Sequence, residues 1–433
     1  MNINDLVIFL ILIGFMAANI PVYICLYFTS VLGILLFTSF PIELLTQTLF
    51  RSLDNFALVV VLFFILCGNT MSSGDIVNRL IRVANALVGW LPGGLGMAGV
   101  IGCALFGAIS GSTVATVVAI GGVMIPALLK NGYDEKYTLG IMATSPNLGV
   151  IIPPSISMIL YSMISNVSLE GLFLTGFVPG VMIVIFTCIY TFFQFRNKSN
   201  SSSIYLKKFS FNELITAFKS GFWALLLPII IFGGIFSGIF TANEAAVIAS
   251  VYAFFVELFI HKSITLKDVK KITVSSAVTS ATLLIIVAGA TCFGRFLTLE
   301  NIPFRISSLV MDVIQSPMIF LLVINIIFLI VGMFMDIISA TLILGPVFIP
   351  MLYNFHIDPM HFGLIMTVNL AIGYCTPPMG VSLFITSALA RRDFLFVSKS
   401  VMPFLIIQLL VLIIITYFPQ LSLFLPKVLG FAN

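Results

Sequence analysis

Apolar runs separated by short polar joints fill the chain, at 6–37, 56–67, 171–195, 222–240, 245–260, 274–297, 318–335 and 401–418. Within each run apolar residues follow one another without alternating with polar ones, so the pattern predicts helices and not strands. In lipid only an α-helix or a closed barrel satisfies its own backbone, and barrel strands alternate, so a set of spanning helices is the expected fold. One run carries its own interruption. Between 138 and 164 the apolar stretch contains "SPNLGVIIPPS" (145–155), with Pro146, Gly149, Pro153 and Pro154. Proline removes a backbone donor and glycine tolerates an unwound conformation, so a broken membrane helix is predicted here.

The interruption occurs twice. Sliding the chain until Gly121 falls on Gly345 sets 121–154 on 345–378 without a gap. Gly121/Gly345, Val123/Val347, Ile125/Ile349, Pro126/Pro350, Leu128/Leu352, Asp134/Asp358, Ile141/Ile365, Met142/Met366, Gly149/Gly373, Pro153/Pro377 and Pro154/Pro378 are then identical. Shared apolar composition matches aliphatic residues by chance, but prolines, glycines and an aspartate in one register mark a duplication. The loop 130–136 holds Lys130 and Lys136, whereas 354–361 has neither Lys nor Arg, which favours opposite orientations of the two copies. An inverted pair of broken helices points to a secondary transporter with its site near the bilayer midplane.

A break in lipid frees carbonyls and amides, which is costly unless another partner takes them. A cation is such a partner: carbonyls around 149–154 and 373–379 are suitable hard ligands for Na⁺, and the N-terminal ends of half-helices favour an anionic group. Each break also has a polar companion upstream. "FGAISGSTVAT" (106–116) crowds Ser110, Gly111, Ser112, Thr113 and Thr116, and "GMFMDIISATLILGP" (332–346) carries Asp336, Ser339, Thr341, Gly345 and Pro346. Small polar residues alone serve close helix packing, but beside duplicated breaks they predict the tips of re-entrant hairpins over 92–129 and 318–353. Asp336 is a carboxylate inside an apolar segment, so a function or a partner is expected of it. It would face a cation or accept hydrogen bonds from substrate hydroxyl or amide groups, and it would push a substrate carboxylate toward Ser110 or Ser155. Arg295 and Glu300 in "FGRFLTLENIP" read as an ion pair at a helix end, and Glu244 in "FTANEAA" as a carboxylate at a helix start.

Composition sharpens this picture. The 433 residues are 60% hydrophobic and 8% charged, with a mean hydropathy of +1.20, which is a polytopic membrane protein. "MNINDLVIFL" has no basic segment ahead of its long apolar run, so it reads as a retained first helix and not as a cleaved leader. Lysines and arginines gather in "FRNKSNSSSIYLKKFS" (195–210) and "HKSITLKDVKK" (261–271), which a helical hairpin brings to one face, cytoplasmic by the positive-inside rule. These loops account for the net charge of +4 without a nucleic-acid partner. Cys25, Cys67, Cys103, Cys188, Cys292 and Cys375 stand singly, as buried small residues do. No phosphate-binding GxxxxGK[ST], HExxH or GxSxG motif occurs, which excludes a P-loop ATPase and the common hydrolases. His356 and His361 in "HIDPMH" read as a solvated loop rather than a metal site.

Taken together, "FGAISGSTVAT", "SPNLGVIIPPS", "FTANEAA", "FGRFLTLENIP" and "IGYCTPPMG" resemble the large membrane subunit of tripartite ATP-independent periplasmic (TRAP) transporters over essentially the whole chain. One departure is "FTANEAA", where the family form has Thr-Pro-Thr-Glu-Ala-Ala and a proline at the helix start. The resemblance implies an all-α polytopic protein of the bacterial inner membrane, an inverted repeat with two re-entrant hairpins and two unwound helices. It also implies Na⁺-driven import of an organic acid by an elevator motion, with a small membrane subunit and a periplasmic substrate-binding protein as separate partners. Carried over by motif, a first Na⁺ would be held by Ser110, Ser112 and the carbonyls of Gly149, Ile152 and Pro154. A second would lie near Gly332 and the carbonyls of Gly373, Thr376 and Met379, with substrate near Ser110, Ser155 and Asp336. The implied organisation is N-terminal scaffold helices (1–91), a first transport repeat (92–168), central scaffold helices (169–317), a second transport repeat (318–392) and a C-terminal helix (393–433). Among branches the chain looks most like the sialic-acid type. The alternative is a stand-alone Na⁺/dicarboxylate or citrate symporter without a binding protein.

Overall fold

The computed structural model describes residues 3–18, 20–38, 40–56, 58–196 and 209–431, and every regular element among them is helical. Most of the basic linker read at 195–210 lies outside the described residues. Five helices open the chain: α1 (Ile3–Ala17), α2 (Val22–Phe37), α3 (Glu43–Leu53), α4 (Leu58–Ser73) and α5 (Ile76–Val88). The first repeat follows with α6 (Gly94–Ser110), α7 (Thr113–Thr116) and α8 (Gly122–Lys130), then α9 (Glu135–Thr144), α10 (Leu148–Ile151) and α11 (Ile156–Ser165). The centre holds α12 (Leu169–Arg196), α13 (Phe211–Phe236), α14 (Ala242–Phe255), α15 (Leu266–Leu299) and α16 (Ile302–Val313). The second repeat is α17 (Pro317–Phe334), α18 (Ile337–Asn354), α19 (Pro359–Gly373) and α20 (Val381–Ala390), and α21 (Phe394–Ser400), α22 (Met402–Tyr417) and α23 (Pro419–Val428) close the chain. Among the described residues seven helices are long and apolar enough to cross a membrane, or up to ten if each bent pair is one span. The protein is an all-α polytopic membrane protein.

Local chemistry starts these helices where the sequence marks them. The duplicated aspartates act alike: Asp134 Oδ2 accepts from the Tyr137 N–H at 3.1 Å, and Asp358 Oδ1 accepts from the Met360 N–H at 2.8 Å. Thr241 and Glu244 form a capping box, with Glu244 Oε2 accepting from the Thr241 N–H at 2.8 Å, so "FTANEAA" begins α14 without the proline. Buried Glu257 accepts from the N–H groups of Asp75 and Ile76 at 3.2 and 3.0 Å, tying the start of α5 to the π-helical turn Val256–Ile260 that follows α14.

The two repeats pack crosswise. Each broken helix lies on the first arm of its own hairpin, α10 on α6 and α19 on α17. The helix after each break crosses to the second arm of the other hairpin: α11 runs along α18, and α20 lies on α7 and the π-helical turn Val117–Gly121. Phe328 of α17 meets Phe348 of α18 and Phe362 of α19, filling the second repeat where the small residues stop. Arg392 forks onto Glu135, so the end of the second repeat is clipped to the start of α9, and that carboxylate raises the guanidinium's already high pKa. Around this unit α15, 34 residues and about 51 Å long at 1.5 Å per residue, packs on α2, α3 and α4 and meets α18.

Two local expectations fail for geometric reasons. His361 is not in a solvated loop: it lies in the first turn of α19 and is buried, with Nδ1 2.7 Å from Ser422 Oγ, because Asp358 starts the helix before it. His356 is exposed, as expected. Arg295 and Glu300 form no ion pair, since positions five apart on a helix face different ways; Arg305 Nη1 instead donates to the Glu300 carbonyl. All six cysteines are unpaired and all but Cys188 are buried.

Candidate functional site

The first tip is built from conformations that glycine and a small cap residue supply. Gly111 closes α6 in the left-handed region at φ +62°, and extended Ser112 caps α7, its Oγ accepting from the Ala115 N–H at 3.4 Å. Thr116 Oγ1 donates to the Ser112 carbonyl at 2.8 Å and lies 3.3 Å from Ser110 Oγ. This tip sits directly on the first break. A methyl added to Gly149 would lie 2.4 Å from Thr116 Oγ1 and 2.9 Å from the Ser112 carbonyl oxygen, and one on Gly111 would lie 2.6 Å from the Pro154 carbonyl oxygen. Ser110, Ser112, Gly149 and Pro154 are therefore neighbours.

At the break α10 ends at Ile151 and Ile152 is extended, with φ −79° and ψ 126°. Pro153 and Pro154 lack the N–H groups that would close helical bonds to the carbonyls of Gly149 and Val150, so those oxygens are left to another partner. Ser155, fully buried, starts α11 with its Oγ 3.0 Å from Ser157 Oγ.

The second copy repeats the geometry with different chemistry. Extended Met335 and Asp336 separate α17 from α18, and Asp336 Oδ2 accepts from the Ser339 N–H at 2.8 Å, making Asp336 the cap of α18. The Tyr374 hydroxyl accepts from the Ile337 N–H at 3.1 Å, so the second break touches the second tip. Gly332 and Gly373 meet as Gly107 and Gly149 do: a methyl on Gly373 would lie 2.5 Å from the Gly332 carbonyl carbon, and one on Gly107 2.6 Å from Gly149 Cα. The carbonyls are more occupied here, Gly373 accepting from the Thr376 N–H and Tyr374 from the Ser382 N–H, both at 3.0 Å. Thr376 is half-buried and Met379 exposed, further along the same break.

A junction that sequence reasoning missed holds the breaks together. Asn147 Nδ2 donates to Gln408 Oε1 at 2.9 Å, Gln408 Nε2 donates to the Thr144 carbonyl at 2.9 Å, and Cys375 Sγ lies 3.0 Å from the Ala143 carbonyl. Asn369 Nδ2 donates to Asn325 Oδ1 at 2.6 Å, and Asn325 Nδ2 to Thr416 Oγ1 at 3.2 Å, so α22 is hydrogen-bonded toward both repeats. The available signal was a single amide, Gln408, in the apolar run 401–418. No group of three or more His, Cys, Asp or Glu that could hold a metal is found among the described residues. The oxygens gathered at the tips are neutral hydroxyls and carbonyls, apart from Asp336.

A membrane bundle built on two broken helices, each seated on a small-residue tip, defines a secondary transporter. The chain belongs to the DctM component of the tripartite ATP-independent periplasmic transporters, whose family profile matches residues 9–421. Members are transport proteins of the inner membrane and not enzymes. The chain is 38% identical to the C4-dicarboxylate TRAP transporter large permease DctM of Rhodobacter capsulatus, over 99% of this chain and all of that one. It is 33% identical to the sialic acid TRAP transporter large permease SiaM of Vibrio cholerae, over 97% and 98% of the two chains. Among solved structures the YdaH transporter of Alcanivorax borkumensis shares the fold, with a TM-score of 0.60 at 14% identity over 87% of this chain and 88% of that one.

Proposed function

We propose that this chain is the large permease of a Na⁺-coupled, three-component importer of a C4-dicarboxylate. The observation that carries the substrate class is full-length likeness at 38% identity to a permease named for C4-dicarboxylates, against 33% for one named for sialic acid. This moves the expectation away from sialic acid. That expectation relied on Asp336 accepting from substrate hydroxyl and amide groups, yet Oδ2 already accepts from the Ser339 N–H, and an unsubstituted dicarboxylate such as succinate brings no donor. Membership of a tripartite family argues for a small membrane subunit and a periplasmic binding protein, and against the stand-alone symporter.

In this reading Ser110, Ser112 and the carbonyls of Gly149, Ile152 and Pro154 hold one Na⁺, because neutral hard oxygens converge where the prolines free backbone acceptors. A second Na⁺ lies near Gly332 with the carbonyls of Gly373, Thr376 and Met379, and Asp336 supplies negative charge beside it. One substrate carboxylate lies near Ser110 and Ser155, at the start of the 10-residue α11, whose N–H groups and dipole favour an anion. The hairpins and broken helices travel together against α15, where Gly294 lets Pro346 approach: a methyl there would be 3.3 Å from Pro346 Cγ.

Uptake of labelled succinate and of labelled sialic acid into proteoliposomes separates the readings. The vesicles hold this chain with its small partner subunit under an inward Na⁺ gradient, with and without the binding protein. Succinate uptake requiring both Na⁺ and binding protein is expected. Sialic acid uptake instead would reinstate the other branch, and uptake without a binding protein would favour the stand-alone class. In the same assay Ser112→Ala is expected to raise the half-saturating Na⁺ concentration roughly three- to tenfold, the worth of one ligand hydrogen-bond equivalent. Unchanged Na⁺ dependence would remove Ser112 from the ion site.

A further inference from the structure

Two contiguous cavities open between the scaffold and the second hairpin. One, of about 410 Å³, has a polar wall from α3 and α15 that includes Thr48, Ser52, Thr291 and Arg295, and an apolar wall that includes Ile164 of α11 and Pro346 of α18. The other, of about 510 Å³, shares the polar wall and adds Arg51. Arg51 and Arg295 are both exposed to these cavities, and neither is paired with a carboxylate among the described residues. Guanidinium groups with no carboxylate partner beside a shared cavity are suited to an anion, and rings of arginine line anion pores.

Their position along α15 gives the side. The helix starts next to the loop 261–271, whose lysines Lys262, Lys267, Lys270 and Lys271 assign it to the cytoplasmic face. Arg295 is in the last turns of this 34-residue helix, so it lies toward the opposite, periplasmic face. Ser155 starts α11, and Leu160, Met163 and Ile164 of that helix line the first cavity, so one element joins the arginine wall to the proposed substrate residues.

We propose that Arg51 and Arg295 form an anion site on the scaffold that receives a carboxylate of the incoming substrate before it passes to the tips; the hydroxyls of Thr48, Ser52 and Thr291 already donate to the carbonyls of Leu44, Leu49 and Val287, which leaves the guanidiniums as the donors. The guanidinium fork matches a carboxylate in two parallel hydrogen bonds, and two forks suit a molecule with two carboxylates. The apolar wall belongs to elements that move in the proposed cycle, so the site would be closed or opened by the same displacement that carries the tips. This inference rests on the importer reading above.

The test uses the full assembly, with binding protein loaded with labelled succinate at limiting and at saturating concentrations. At limiting supply Arg51→Gln and Arg295→Gln are each expected to lower uptake about threefold, and the double variant about tenfold, with little change at saturation. Arg295→Lys should retain part of the rate, because it keeps the charge and loses the fork. Na⁺-dependent equilibrium binding of succinate to the purified variants should match wild type, which reports an intact fold and tip site. Wild-type uptake by the double variant at limiting supply overturns the proposal. So does an equal loss at limiting and saturating supply with binding intact, which would assign the guanidiniums to lipid phosphate. If the assembly moves sialic acid and not succinate, the dicarboxylate reading fails while the same comparison, run with that monocarboxylate, still decides the arginine site.

Discussion

Replacing Gly111 with valine is expected to lower uptake about 100-fold, a loss that displacing a positioned group by about 1 Å can cause. Two effects combine at this residue. Its φ of +62° is in the region that a β-branched residue occupies only with strain, roughly 1–2 kcal/mol. Its missing Cβ would lie 2.6 Å from the carbonyl oxygen of Pro154, a backbone atom that cannot swing aside. Relief must come from separating the tip from the break, and that separation moves a proposed Na⁺ ligand away from Ser110 and Ser112. Gly122→Ala in α8 is the control, because nothing lies within 4 Å of a methyl there. It should insert, fold and transport as wild type. The measurement is initial uptake per reconstituted protein together with its Na⁺ dependence, and near-normal transport by Gly111→Val would mean that contact between tip and break is not needed.

What could be read from sequence alone was what backbone chemistry imposes. Pro153 and Pro377 must lose a donor wherever the chain places them, and Asp134 and Asp358 start a helix in both copies because a cap acts within three residues. The helix start at Glu244 and the two breaks were legible for the same reason, whereas the capping box with Thr241 was seen only in the structure. The misreadings depended on which faces meet. Arg295 and Glu300 look complementary on paper but diverge around the helix, and His361 looks solvated beside His356 until α19 is seen to begin at Pro359. Gln408 and Asn147 are 261 positions apart, and no local signal connects them. Asp336 was singled out for its charge in an apolar segment, yet the structure shows that its carboxylate also caps α18, a role that any small acceptor could fill.

That double role makes Asp336 the residue where a conservative change is most informative. Asparagine caps a helix about as well as aspartate, so Asp336→Asn should leave the start of α18 and the thermal stability of the purified protein unchanged, whereas Asp336→Ala loses the cap at about 1 kcal/mol. The charge is what Asp336→Asn removes. If Asp336 stabilises the second Na⁺, this variant raises the half-saturating Na⁺ concentration by about thirtyfold, within the range of 1.5–3 kcal/mol for a charge-assisted contact. The apparent affinity for succinate at saturating Na⁺ then changes little, since an anionic substrate gains nothing from a carboxylate. A sialic acid transporter would respond in the opposite sense, because a lost acceptor raises the concentration of substrate needed and leaves the Na⁺ dependence alone. Equal behaviour of Asp336→Asn and wild type in both titrations would reduce Asp336 to a helix cap, and the cost of a carboxylate in that segment would then be balanced by the backbone N–H of Ser339 alone.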